Sequence, residues 1–194
     1  MFSVAVVVLA AGGSARLGRP KQLLSFRGTT LIRHAVETAL AAEVGPVFVV
    51  LGAAAADCER ELRDLEVQVV PNANWDTGIG TSVRAGISTV SEFAVDGAIF
   101  CLCDQPLVTA ADLRELVRIW RGSGAPAAAA GYCGSIGVPA VFSRTEFESL
   151  AALDGASGAK SHLTHLGMRV AVIELPHAAL DIDTPSNVDR LRLA

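Results

Sequence analysis

Residues 3–21 read SVAVVVLAAGGSARLGRPK, and this stretch decides the class of fold. Its first seven residues form a continuous apolar run rich in valine, which is typical of a strand buried on both faces of a sheet. The run passes directly into small residues around Gly12 and Gly13, and then to Arg16 and Lys21. In α/β sheets, ligands bind beyond the carboxyl ends of the strands, so this loop is the first candidate binding segment.

Strand and helix patterns alternate along the rest of the chain. Further strands are predicted at 46–51, 67–70, 97–103, 126–130, 139–142 and 169–175, and helices at 32–40, 54–65, 81–90, 110–120, 146–153 and 159–166. This order predicts a Rossmann-like three-layer α/β sandwich with a mostly parallel central sheet. The irregular stretch after Asp104 predicts an antiparallel part, so we expect the sheet to be mixed. No repeat, linker or charge block divides residues 1–194, which predicts a single domain.

Composition excludes several classes of protein. The net charge of the 194 residues is −4, and Lys and Arg are not clustered as a nucleic-acid surface requires. The apolar stretches are too short to span a bilayer, which predicts no membrane partner. The start at Met1 lacks the charged leader of a signal peptide, so we expect a cytoplasmic protein with reduced thiols. The four cysteines are Cys58, Cys101, Cys103 and Cys133.

The glycine-rich loop has the chemistry of a triphosphate site. Small residues let backbone N–H groups approach an anion closely, and Arg16 and Lys21 add two cations for charge-assisted bonds. The Walker pattern is absent, because Arg19 and Pro20 follow Gly18 where Lys and Ser or Thr are required. The Gly-x-Gly-x-x-Gly fingerprint of dinucleotide sites is also missing from the loop. The alternative interpretation is a surface loop with solvated basic residues.

Two acidic turns are candidate metal ligands. Asp104 closes the strand predicted at 97–103, and Asp181 and Asp183 lie in the segment Asp-Ile-Asp-Thr-Pro. Mg²⁺ takes carboxylate and phosphate oxygens, so one or two carboxylates and a nucleotide make a sufficient site. The alternative for each aspartate is a turn or capping residue. The histidines form no convincing catalytic cluster, and we expect His162 and His165 to lie on a solvated helix face.

The chain resembles a known family over almost its whole length. Five motifs carry the resemblance: LAAG at 9–12 with GRPK at 18–21, GTSVRAG at 80–86, CDQP at 103–106, GVP at 137–139 with Phe142, and DIDTP at 181–185. Together they are similar to the MobA-like nucleotidyltransferase superfamily, and specifically to its molybdenum cofactor cytidylyltransferase branch. The LAAG form and the Pro20-Lys21 pair resemble the cytidylyl branch rather than the guanylyl branch.

The resemblance implies a role for each motif. It implies that the first loop holds the base and triphosphate, with contacts from Leu9, Ala10, Ala11, Gly12, Gly13 and Ser14. Arg16 and Lys21 would act on the phosphates, and Gly80 and Ser82 would form the base-side wall. Asp104 would bind the metal with Asp183, and Asp181 is a near competitor for the second position. The implied acceptor-binding residues are Gly137, Pro139 and Lys160.

The implied reaction moves CMP from CTP onto the phosphate of molybdopterin, with Mg²⁺ as cofactor and a molybdenum hydroxylase as a partner. Three alternatives stay open: GTP or another phosphorylated acceptor on the same fold, a non-catalytic accessory protein that binds the finished cofactor, and an oxidoreductase using a nicotinamide nucleotide. The segment at 155–160, GASGAK, departs from the branch pattern Gly-Asp-x-Gly-Ala-Arg, and Asn187 replaces a usual acidic residue. These departures leave the identity of the acceptor open.

Overall fold

Nine strands and six α-helices are formed by residues 3–184 and 187–188, the part of the chain that this computed structural model describes. The strands are β1 (Val4–Ala10), β2 (Ser25–Phe26), β3 (Thr29–Thr30), β4 (Val47–Leu51), β5 (Gln68–Pro71), β6 (Gly97–Leu102), β7 (Ala127–Tyr132), β8 (Ser135–Ser143) and β9 (Val170–Glu174). The helices are α1 (Leu31–Ala41), α2 (Ala55–Leu62), α3 (Ile79–Val90), α4 (Ala110–Ser123), α5 (Phe147–Ala151) and α6 (Ala159–Leu166).

Seven strands form the central sheet in the order β5-β4-β1-β6-β8-β7-β9. β1 pairs in parallel with β4 and β6, and all of its seven residues are buried, as its unbroken apolar run predicts. β8 is antiparallel to both β6 and β7, whereas β7 is parallel to β9. The predicted mixed, mostly parallel sheet is therefore confirmed, and β8 is its antiparallel strand.

Two apolar layers enclose the sheet. On one face the core includes Ile32 of α1, Leu62 of α2 and Leu116 of α4. On the other face it includes Ile87 of α3 and residues of α5 and α6. Helices on both faces confirm the three-layer α/β sandwich. None of the helices in the described ranges is both long enough and apolar enough to cross a membrane.

The hairpin of β7 and β8 is longer than the sequence predicts. The strand predicted at 126–130 continues to Tyr132, and the strand predicted at 139–142 begins at Ser135. Cys133 (φ 51°) and Gly134 (φ 68°) both adopt left-handed conformations, which is the geometry of a two-residue hairpin turn. The turn places the start of β8 at the carboxyl edge of the parallel strands.

One side-chain prediction on α6 is wrong. The helix begins and ends as predicted, but His162 is buried, and its Nε2 lies 2.8 Å from Glu146 Oε2. Its ring also contacts that of Phe142, with centroids 5.8 Å apart. Only His165 is exposed as expected. The sequence pattern missed this because a histidine that pairs with a carboxylate beneath the surface has the same spacing as one facing solvent.

The cysteines agree with the prediction of reduced thiols. All four are free, with Cys58, Cys101 and Cys103 buried and Cys133 exposed at the hairpin turn. Burial raises the pKa of Cys58 to about 11 and that of Cys101 to about 12, so both thiols stay protonated at neutral pH. They serve as small apolar core residues.

Candidate functional site

The glycine-rich loop is folded back on itself by two polar side chains. The Gln22 amide, which is fully buried, donates to the carbonyl oxygens of Ala10 and Gly12, each at 2.8 Å. The Ser14 hydroxyl accepts a hydrogen bond from the backbone N–H of Lys21 at 3.0 Å. Gly12 and Gly13 remain exposed at the top of the loop. The loop is therefore a fixed turn with an open surface, as an anion-binding loop requires.

We expect Gln22→Met to lower the free energy of unfolding by about 2 kcal/mol, because two carbonyl groups lose their donor. The loop would also lose its shape, so nucleotide binding should weaken. Urea denaturation and a nucleotide titration measure the two effects. Gln68→Met is the matched control, because Gln68 is exposed on the edge strand β5 and its loss should cost less than about 0.5 kcal/mol. Equal effects of the two substitutions would contradict the role given to Gln22.

Asp104 and Asp183 meet at one cation beside this loop. The Lys21 ammonium donates to Asp104 Oδ2 and, at 2.7 Å, to Asp183 Oδ1. Arg16 donates to the other oxygen of Asp183 at 2.6 Å. Two carboxylates from turns about 80 residues apart in the chain thus face the basic residues of the first loop.

Lys21, Asp104 and Asp183 are partly or fully buried, so the charge of each group depends on its ion pairs. Burial is the largest influence on Lys21 and acts to lower its pKa, but the ion pairs with Asp104 and Asp183 outweigh it and raise the pKa above its ordinary value. For Asp183, desolvation acts to raise the pKa, but Lys21 and Arg16 together bring it below the ordinary range. Asp104 is the most deeply buried of the three, and burial raises its pKa against the opposing effect of Lys21. The Asp104 carboxylate therefore needs a nearby cation to keep its charge.

The turn that carries Asp104 is fixed by its neighbour. The Gln105 amide donates to the carbonyl oxygens of Val138, at 3.0 Å, and Ala178, at 2.8 Å. The Asp104 carbonyl accepts the backbone N–H of Ile182 at 3.1 Å, and Ile182 is fully buried. These bonds bring the segment before Asp183 against the end of β6. Gln105 and Gln22 are positioning residues to which the sequence analysis gave no role, and a buried glutamine beside a motif residue is the signal that could have found them.

The predicted base-side wall is a buried polar network at the start of α3. The Asn72 amide donates to Thr81 Oγ1 at 2.9 Å and to Ser82 Oγ at 3.0 Å. Ser82 is only 3% exposed, so its hydroxyl lies inside the predicted wall rather than on its surface. Gly80 is also buried, and its N–H donates to the Gly155 carbonyl at 3.0 Å.

The Trp75 side chain connects this wall to the first loop. A Cβ placed on Gly13 would lie 2.8 Å from the Trp75 ring, and one on Gly52 would lie 2.7 Å from the same side chain. Both glycines thus let the indole pack closely over the loops that follow β1 and β4. Trp75 is half-buried, so part of it remains available beside the glycine-rich loop.

The candidate acceptor residues lie on two different elements. Gly137 and Pro139 are buried at the start of β8, where the Val138–Pro139 peptide is cis. Lys160 is exposed on α6, directly after the segment at 154–158 that packs on Gly80. Asp181 is exposed at the same carboxyl edge, two residues from Asp183. The structure brings Asp183 to Asp104, whereas for Asp181 the described residues show no bond to Lys21 or Arg16.

The carboxylate pair has the donor set of a hard divalent cation. Asp104 Oδ1 is buried and has no hydrogen-bond partner among the described residues, while Asp183 is partly open to solvent. No group of three or more His, Cys, Asp or Glu side chains that could hold a metal occurs within the described ranges. Two carboxylates are nevertheless sufficient for Mg²⁺ or Mn²⁺ when water and phosphate oxygens complete the shell. The residues present therefore fit such an ion.

Comparison with known proteins places this site in a family. The profile of the MobA-like NTP transferase domain matches residues 6–170. The purine catabolism protein PucB of Bacillus subtilis is 30% identical over 201 residues, which cover 97% of this chain and 95% of PucB. The nicotine blue oxidoreductase of Paenarthrobacter nicotinovorans is 43% identical over 103 residues, but these are 52% of this chain and only 48% of that protein.

Solved structures of similar proteins match this fold over the whole chain. The crystal structure of Rv0371c from Mycobacterium tuberculosis superposes with a TM-score of 0.86 and 32% identity, covering 100% of this chain and 99% of that one. A manganese complex of Rv0371c superposes with a TM-score of 0.80 and 30% identity, with the same coverage.

Proposed function

The chain belongs to the MobA-like NTP transferase family, and from this premise we propose that it transfers CMP from CTP to the terminal phosphate of a molybdopterin-type acceptor. The observation that carries the proposal is the convergence of Asp104 and Asp183 on the cations of the glycine-rich loop. That convergence supports the proposal because it brings the proposed phosphate-binding and metal-binding side chains together. The choice of CTP and of a molybdopterin-type acceptor rests on the motif resemblance at residues 9–12 and 18–21.

The proposed step is an in-line displacement at the α-phosphorus of CTP. An oxygen of the acceptor phosphate forms the new P–O bond, and the bond from the α-phosphorus to the bridging oxygen breaks. Pyrophosphate leaves with that electron pair. The attacking phosphate is already an anion, so no side chain has to remove a proton. This agrees with the placement of His162, which is buried and pairs with Glu146.

In the proposed reaction, some residues bind the substrates and others stabilise charge. Backbone N–H groups of the loop from Gly12 to Ser14 face the triphosphate in this proposal, and Arg16 and Lys21 stabilise the departing pyrophosphate. The buried network at Asn72, with Gly80 and Ser82, backs the base. Gly137, Pro139 and Lys160 are the proposed acceptor contacts, and Lys160 would meet a phosphate as a point charge.

A divalent cation fits Asp104 and Asp183, and we propose Mg²⁺ as the physiological ion. When bound, it would neutralise phosphate charge and hold the reacting oxygens together. The manganese complex of Rv0371c supports a divalent ion in a relative of the same fold. The product would pass to a molybdenum hydroxylase in the cytoplasm, as the resemblance implies.

We expect CTP with Mg²⁺ to protect the protein against thermal unfolding more than GTP, ATP or UTP at the same concentration. A ligand at 100 times its Kd adds about 2.7 kcal/mol to the free energy of unfolding when it binds only the folded state. Thermal melts with each nucleotide measure this order, and pyrophosphate release with a molybdopterin-type acceptor tests turnover. Stronger protection by GTP would move the assignment to the guanylyl reaction. Protection without pyrophosphate release would identify a non-catalytic accessory protein.

An oxidoreductase is the second candidate, because a relative named nicotine blue oxidoreductase is 43% identical over about half of its length. The glycine-rich loop offers it less support, since the dinucleotide fingerprint is absent and the carboxylate pair favours a metal–triphosphate ligand. NADH and NADPH belong in the same set of thermal melts. Protection by either one, with none by CTP and Mg²⁺, would favour the oxidoreductase.

A further inference from the structure

The Lys21 ammonium occupies the space between the two proposed metal ligands, Asp104 and Asp183. It contacts one oxygen of Asp104 and one of Asp183, so it lies between the two carboxylates. The side chain is only 18% exposed, and the backbone N–H of Lys21 is fixed to Ser14. The ammonium is therefore held within the carboxylate pair rather than in solvent. The same residue is also a proposed phosphate contact, so its ammonium has two competing sets of partners.

Electrostatics explains why a cation is needed there before any ligand arrives. Two carboxylates that face one another repel, and the repulsion grows as they leave water. Asp104 is 5% exposed, so solvent screens it poorly. An ammonium is a compact point charge with three N–H donors, and it can join both carboxylates. Among the described residues, Asp104 Oδ1 then has no hydrogen-bond partner, and a metal with more coordination positions could use this oxygen.

We propose that Lys21 is an internal substitute for the divalent ion, and that the metal enters the carboxylate pair only when Lys21 leaves it for the triphosphate. This inference rests on the proposed nucleotide site. An Mg²⁺ ion binds carboxylate oxygens at about 2.0–2.1 Å, and an ammonium beside it would be repelled by its double charge. Lysine and metal therefore exclude one another from the same pair of oxygens.

The lysine stem makes the exchange feasible. Lys21 begins the 3-10 helix at Lys21–Leu23, and its four-carbon stem can turn its ammonium from the carboxylates to an anion on the adjacent loop. In the free protein Arg16 also donates to Asp183 from a largely exposed guanidinium, so that carboxylate has a second cation beside it when the Lys21 ammonium turns away. Metal binding is then coupled to nucleotide binding, and the free protein has little affinity for the metal alone.

The test is direct Mn²⁺ binding, measured from the free Mn²⁺ signal in electron paramagnetic resonance without nucleotide. We expect Lys21→Met to bind Mn²⁺ at least tenfold more tightly than the wild type. Arg19→Met is the matched control: Arg19 is exposed in the same loop, and its removal deletes the same charge. It should change the Mn²⁺ affinity less than threefold. Adding Asp104→Asn to Lys21→Met should abolish the gain, which assigns the ion to the carboxylate pair.

The Tm is a second measurement, and it does not need an active enzyme. Lys21→Met leaves two carboxylates without their shared ammonium, so we expect a lower Tm in EDTA and recovery on addition of Mn²⁺. The wild type and Arg19→Met should show little change with Mn²⁺. If Lys21→Met folds only with Mn²⁺, the proposal is supported; if it fails to fold with or without the ion while Arg19→Met folds, the proposal is wrong.

The outcomes separate this inference from the proposed function. Unchanged or weaker Mn²⁺ binding by Lys21→Met would overturn the substitute role, although wild-type binding of Mn²⁺ with CTP would still support the transferase. Absence of Mn²⁺ binding in the wild type and in Lys21→Met, with and without CTP, would contradict both.

Discussion

Asp104→Asn should lower kcat/KM for nucleotidyl transfer by about 10³-fold, because metal contributions to catalysis are worth several kcal/mol and each 1.36 kcal/mol is tenfold in rate. The substitution keeps the size of the side chain but removes the charge that Lys21 and the proposed metal share. Asp104 is buried, so water cannot replace the lost carboxylate. Initial rates of pyrophosphate release with CTP, Mg²⁺ and the molybdopterin-type acceptor measure the effect, and a thermal melt of the variant checks that it is folded.

The two aspartates of the later turn provide the comparison. Asp183 shares the Lys21 ammonium with Asp104, whereas Asp181 is exposed beside it. Asp183→Asn should therefore approach the loss seen for Asp104→Asn, and Asp181→Asn should stay within about threefold of the wild type. A near-normal rate for Asp104→Asn would remove its metal role. A large loss for Asp181→Asn alone would move the second metal position to that residue.

Much of the fold follows from local patterns in the sequence. The valine run of β1 has no polar position, so it can only be a strand covered on both faces. Thr30 and Thr109 start α1 and α4 as capping residues, and the Thr109 side chain forms a capping box with Asp112. The hairpin at β7 and β8 was harder to predict. Its strands consist largely of alanine and other small residues, whose partners are decided by the sheet rather than by propensity.

The candidate site shows the same contrast between features that the local sequence predicts and features that depend on the tertiary structure. Roles for Arg16, Lys21 and Asp104 could be proposed from the sequence, because the first two lie in the loop after the first predicted strand and Asp104 follows the strand predicted at 97–103. The ion pair that joins Lys21 to Asp183 spans 162 residues and depends on how the end of the chain returns to β6. Nothing in the local sequence contains that information.

Buried polar groups were missed for a related reason. Gln22 acts through carbonyl groups of the preceding loop, Gln105 through that of Ala178, 73 residues away, and His162 through the carboxylate of Glu146. A sequence pattern records the residue type, whereas its partner and its burial are properties of the tertiary structure. These side chains satisfy polar groups that would otherwise be buried without partners.

The start of α3 is a second place where a small change should have a large effect. Gly80→Ala should lower the free energy of unfolding by about 3 kcal/mol, at the upper end of overpacking costs. A Cβ at Gly80 would lie 1.8 Å from the backbone oxygen of Asp154 and 2.6 Å from that of Ser157. Both are backbone atoms, so the segment at 154–158 would have to move as a unit. That movement would break the bond from Gly80 to the Gly155 carbonyl and open the proposed base-side wall.

Gly122 is the matched control, because it also lies in a helix, and a Cβ there would meet no atom within 4 Å. Gly122→Ala should leave stability unchanged or raise it by up to about 1 kcal/mol, since alanine favours the helix. Urea denaturation compares the two variants, and thermal melts with CTP and Mg²⁺ report on the wall. Backbone contact at Gly80 closes the proposed base-side wall, so loss of that contact should reduce the protection by nucleotide together with the stability. If Gly80→Ala is as stable as Gly122→Ala and CTP protects it equally, the segment at 154–158 does not close the base-side wall.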